Sequence, residues 1–162
     1  MTNILGARGE MNVALAMMRD INNKPLFSVK FLGEKAKLLD FVVNLLDDNE
    51  SEIGPFFMIQ VKSTKRAKVA ESIPAKFTAK EVLQAQNRKI PIYLASVAEI
   101  NGRTREIFFL AVDSTRSKGV SVVPRLHNLD CDVTLKALYD EVKQYHDNQS
   151  HSFVSAFGGD NE

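Results

Sequence analysis

The chain has little of what marks several common classes of protein. It holds one cysteine, Cys131, among 162 residues. A single thiol cannot close an internal disulfide, and it excludes a zinc site built from several cysteines. No apolar run approaches the roughly 20 residues that span a bilayer, so neither a transmembrane helix nor a membrane partner is expected. The opening MTNILGARGE lacks a basic segment followed by an apolar one and does not read as a secretory signal. A reducing cytoplasm is therefore the expected compartment. The three histidines, His127, His146 and His151, fall late and scattered, without H-E-x-x-H spacing, and are expected at the surface. Cys131 has no histidine placed to activate it and is expected to be structural or exposed. The glycines of GARGE lack the lysine and spacing of a phosphate-binding loop. Net charge is nearly absent too. With 21 Lys and Arg against 20 Asp and Glu, the formal +1 points to no class of partner by itself.

What is present suits one folded domain. Hydrophobic residues make up 44% and charged residues 25%, ordinary values for a chain long enough to bury its own core. Residues 1–148 are expected to form that domain, with a polar, glycine-ended tail, 149–162, expected to be disordered. Charge is unevenly spread. DDNESE at 47–52 is acidic, whereas Lys62, Lys65, Arg66 and Lys68 crowd one short stretch. Arg88 with Lys89, and Arg103 with Arg105, add smaller basic groups. Such runs are ordinary solvated surface in most proteins, yet a near-neutral chain can still turn one positive face to a polyanion.

Periodicity orders the elements. Val13, Ala14, Met17, Met18 and Ile21 recur at helical spacing within 5–21, and the helix should end near Lys24, which precedes a proline. LFSVKFL (26–32) alternates as a strand. LLDFVVNLL (38–46) and PFFMIQVKST (55–64) read as buried strands joined by a polar loop, most simply an antiparallel hairpin. The stretch 65–77 is irregular. Thr78 and Glu81 form a T-x-x-E capping box for a helix to about Lys89, with Val82, Leu83 and Ala85 inward. IPIYLASVAEI and REIFFLAVDS flank an Asn-Gly turn, a hairpin signal, and GVSVVPRL suits a short edge strand. Leu135, Leu138, Tyr139, Val142 and Tyr145 mark a last helix capped by Asp132 or Thr134. The predicted order is α-β-β-β-α-β-β-α, an α/β or α+β sheet flanked by helices.

Three features of this pattern bear on chemistry. Gln60 and Lys62 share one face of their strand. If 38–46 and 55–64 pair in an even register, Asp40 falls beside them at the open end of the hairpin; a slip of one residue would send it to the other face. Glu10 precedes Val13, Ala14 and Met17 by three, four and seven residues, so it lies on the helix stripe that should face the core. A carboxylate there needs a partner or a metal, because burying an unpaired charge is costly. Glycines 6 and 9 allow close backbone approach beside it. Each residue also has a plain reading: Glu10 solvated at the positive helix end, Asp40 closing a turn, Gln60 on an exposed strand end, Lys62 opening a basic loop. Taken together, acid, acid, amide and lysine have the composition of a hard-cation site set against a phosphate.

The same order resembles the PD-(D/E)XK nuclease superfamily, in which a helix glutamate and a strand aspartate precede acid-x-lysine on the next strand. GARGE, KLLDFVVNLLDD and GPFFMIQVKST are similar to a bacterial domain of that superfamily akin to the Mrr-like restriction endonucleases, which also use Gln-x-Lys. The resemblance covers about residues 6–112. It implies a restriction-endonuclease-like central mixed sheet flanked by helices, and a magnesium- or manganese-dependent endonuclease acting on DNA in defence or repair. It implies Asp40 as the central metal ligand, Glu10 as a further ligand, Gln60 at the second acidic position through its amide oxygen, and the Val61 carbonyl as another donor. Lys62 would orient the attacking water and offset charge on the phosphate. Lys65, Arg66 and Lys68 would then grip the backbone of the nucleic acid. Leu39 stands where the family's proline does, and Gln60 replaces an acid, which would also suit an inactive copy that binds nucleic acid or a protein partner. A homodimer, fit for double-strand cleavage, and a partner protein supplying specificity both stay open.

Overall fold

A computed structural model of the chain describes residues 4–33, 35–65, 72–100, 105–149 and 153–157. Its centre is a five-stranded sheet. Strands β3 (Phe27–Phe31), β4 (Phe41–Leu46), β5 (Glu52–Thr64), β7 (Ile92–Glu99) and β8 (Arg105–Ala111) lie side by side in that order. All neighbours are antiparallel except β5 and β7, which run parallel, so the sheet is mixed. A parallel pair needs a long crossover, and here it is made by β6 (Ser72–Phe77) and α2 (Ala79–Gln86). The fold is α+β, with three helices among the described residues: α1 (Ile4–Met18), α2 and α3 (Asp132–Asp147). None is long and apolar enough to cross a membrane.

Each face of the sheet has its own core. On one side Phe57, Ile59 and Val61 of β5 join Phe27, Phe41, Val43, Tyr93 and Ile107 beneath Val13 and Met17 of α1 and Leu135, Leu138 and Val142 of α3. On the other, Ile92, Leu94 and Phe108 meet Val82 and Ala85 of α2 and a two-stranded ribbon of β6 with β9 (Val120–Pro124). Burial on both faces explains why every residue of β7 is buried, as befits an interior strand of a sheet covered on both sides.

Several expectations hold and several shift. The hairpin of β4 with β5, the capping box at Thr78 and Glu81, and the β7–β8 pairing are present. The turn residues of β7–β8, 101–104, lie outside the described residues, as do 150–152 and 158–162 of the tail; Phe153, Val154 and Phe157 are exposed. The first helix stops at Met18 rather than Ile21, because Asp20–Ile21 and Lys24–Pro25 form a small hairpin, β1 with β2. Asn22 and Asn23 both have positive φ, 54° and 67°, the geometry of a type I′ turn. The predicted order therefore undercounts strands: that hairpin and β6, within the stretch expected to be irregular, were missed. Leu83 points outward, since α2 buries only a narrow face of Val82 and Ala85. The N-cap of α3 is Cys131, which is exposed. Asp132 is instead drawn into an ion pair with Arg19 at 3.0 Å, and Thr134 lies inside the helix.

Candidate active site

β5 changes character at its middle. In a strand the N–H and C=O of one residue point the same way, and successive residues alternate. Met58 donates its N–H to Pro91 O at 3.1 Å, on the β7 side, while Ile59 O accepts from Asp40 N–H at 2.9 Å, on the β4 side. Val61 therefore turns both its N–H and its C=O toward β4. There β4 has run out. The chain before Phe41 bends away through Leu38, held at a φ of 80°. The Val61 N–H is met by the Asp40 carboxylate instead, Oδ2 at 2.7 Å. Among the described residues, the Val61 carbonyl on that same edge receives a side-chain hydrogen bond from Gln60 Nε2, at a long 3.4 Å.

The register that decides this is even. Phe41 pairs with Ile59, so one further step sets Asp40 opposite Gln60. Gln60 and Lys62 lie on the face opposite Phe57, Ile59 and Val61, the face toward α2. Lys62 makes no ion pair among the described residues. Its ammonium lies on the side of α2: Glu81 is held below the usual carboxylate range first by the Thr78 N–H, and further by the charge of Lys62.

Glu10 reaches the same edge from above. α1 settles on β5 through Gly9, which is buried; a Cβ there would stand 1.8 Å from Ser63 Oγ. This contact brings the next residue to the end of β4, where the Glu10 carboxyl lies close enough to Asp40 to be affected by it. Burial first, and then the Asp40 carboxyl, push Glu10 from 4.5 up to about 7. Glu10 therefore holds its proton to near neutrality.

The fold thus gathers Glu10, Asp40, Gln60 and the Val61 carbonyl at one strand end, with Lys62 on the same face as Gln60. Lys65 is exposed just past β5; Arg66 and Lys68 lie outside the described residues. Among those residues no group of three or more His, Cys, Asp or Glu is spaced to hold a metal. Two carboxylates are joined here by a carbonyl and an amide. His146 is not a bare surface residue: Nε2 lies 2.7 Å from Phe56 O, and its ring packs on Phe56. His127 is exposed, and His151 lies outside the described residues. A separate cleft of about 300 Å³, lined by Tyr93, Tyr145, Glu141 and Asp113, opens near the start of β7 and shares no residue with this site.

Two residues beside the site were not foreseen. Arg8 holds Glu99 through Nε and Nη2, both at 2.8 Å, and Glu99 is buried at the end of β7. The sequence signal was a charged residue ending a strand whose other members, Ser96 aside, are hydrophobic. Compared with protein-family models, curated proteins and solved structures, the chain finds no match.

Proposed function

We propose that this chain is a metal-dependent nuclease that hydrolyses phosphodiester bonds, DNA foremost, on a restriction-endonuclease-like fold. One observation carries the reading: Asp40 is fastened to the Val61 N–H beside the Val61 carbonyl on the same open edge, with Glu10 against it.

The residues fit a hard divalent cation. Magnesium and manganese take oxygen donors, and the edge offers two carboxylates and a carbonyl within one cluster. The proton that Glu10 retains beside Asp40 marks the place where positive charge is wanted. Asp40, Glu10 and the Val61 carbonyl would hold the ion, which when bound would polarise the phosphodiester and acidify a water. Gln60 presents its amide nitrogen to Val61 O; a half-turn of the amide would bring its oxygen to the ion instead. Lys62 supplies a positive charge on the face shared with Gln60, fit to orient the attacking water and offset charge on the phosphate. Lys65, with Arg66 and Lys68 after it in sequence, would bind flanking phosphates without reading bases.

The present hold of Gln60 on Val61 O also favours a second reading, in which a neutral amide caps the edge and the chain serves as an inactive nucleic-acid or protein-binding module. Calorimetric titration of magnesium and manganese into the wild type and Asp40→Ala separates the two. The nuclease reading expects metal binding and nicking of plasmid DNA by the wild type, with both lost in Asp40→Ala. Equal heats from the two proteins would overturn it.

A further inference from the structure

Residues 8, 9 and 10 straddle β5. Gly9 rests on Ser63 and Val61, Glu10 reaches to the β4 side, and Arg8 reaches to the β7 side. Two residues apart on a helix, Arg8 and Glu10 have Cα atoms about 5.4 Å from one another. From that one helical turn the two side chains leave in opposite directions, Arg8 to Glu99 at the end of β7 and Glu10 to Asp40. Resting on the nuclease reading above, we propose that Arg8 is a phosphate-binding residue, gripping the nucleic-acid backbone on the β7 side of β5, across that strand from the Glu10–Asp40 pair.

The way Arg8 is held favours this role. Glu99 takes the Nε and Nη2 edge of the guanidinium, which fixes its plane. Among the described residues Nη1 makes no hydrogen bond, so a rigid donor edge is left to face a second anion. The two partners differ in exposure as well: the Glu99 side chain is 8% exposed, that of Arg8 46%. A carboxylate buried at a strand end orients a guanidinium that remains open to solvent. Lys65 also acts on Glu99, so a second cation stands on the same side as Arg8.

The test is duplex binding measured by fluorescence anisotropy in EDTA, without cleavage, over a range of salt. Arg8→Met with Glu99→Met removes both charges, leaves net charge unchanged and avoids stranding a buried carboxylate. Arg8→Lys keeps the charge but loses the fork, and covers the case in which the double variant does not fold. Losing one phosphate contact should lower the slope of log affinity against log salt by about 0.9 in the double variant. Affinity at low salt should fall about tenfold. Arg8→Lys should weaken binding less and keep the wild-type slope. An unchanged slope and affinity in the double variant, or wild-type affinity in Arg8→Lys, would overturn the proposal and leave Arg8 a clamp for α1, with the nuclease reading untouched. A wild type that binds no duplex at all would overturn the nuclease reading, and this inference with it.

Discussion

The two halves of β5 are built from one ladder and behave as opposites. From Phe56 to Ile59 the strand is paired with β4 and leads into its pairing with β7, and Phe57 is sealed between Phe27 and Tyr93 in edge-to-face contacts at 5.5 and 5.3 Å. From Gln60 onward it keeps β7 and loses β4, and the vacated edge is taken by a side chain, Asp40. The difference teaches that a site can be made by ending a neighbour early. Backbone groups that a strand would have consumed are met by side chains instead, Asp40 on the Val61 N–H and Gln60 on its carbonyl, while the parallel partner stays paired.

The largest effect expected from breaking this contrast is in the sealed half. Phe57→Ala should cost about 3–5 kcal/mol, read by chemical denaturation, because the ring is fully buried and its space cannot easily close. Asp40→Ala, one strand away, should cost only about 1–3 kcal/mol, the loss of one charge-assisted bond to a backbone N–H. Equal costs would mean that the open end is as tightly packed as the sealed one.

A smaller effect probes how α1 is seated. Gly9→Ala should destabilise by about 1–3 kcal/mol, since the new methyl meets Ser63 Oγ. Ser63→Ala alone should be neutral or stabilising, because that hydroxyl is buried with no hydrogen-bond partner among the described residues. The two together should recover part of the loss, limited by Ser63 Cβ at 3.1 Å from the added carbon. Strict additivity of the two changes would show that Gly9 and Ser63 do not meet.

The smallest effect is electrostatic. Glu10 binds its proton more tightly folded than unfolded, so the folded state holds more protons between pH 4.5 and about 7. Its contribution is fully present below 4.5 and is lost as pH rises through about 7. Metal-free melting temperature should accordingly fall over that window, and Glu10→Gln should flatten the fall and raise the melting temperature at pH 8. A wild-type profile kept unchanged by Glu10→Gln would separate Glu10 from Asp40.

Local pattern carried much of this protein. Alternation in LFSVKFL, the apolar frames around Asp40 and Gln60, and the box at Thr78 and Glu81 each depend on neighbours within a few residues, and each is present in the fold. The candidate set of Glu10, Asp40, Gln60 and Lys62 was legible in the same way, from one helix stripe and one strand face. The small β1–β2 hairpin was hidden because two asparagines replace the Asn-Gly signal, and β6 because its partner β9 lies nearly 50 residues away. Register was the decisive unknown. Whether Asp40 stood with Gln60 or against it depended on where the hairpin closed and where Leu38 turned, and the core chose by burying Phe41, Val43 and Leu45 beneath α1 and beside α3. The Arg8–Glu99 pair spans 91 positions, and nothing local couples its members. Only the seating of α1 through Gly9, which needs three-dimensional packing to be felt at all, brings the guanidinium over β7 and the Glu10 carboxyl over Asp40.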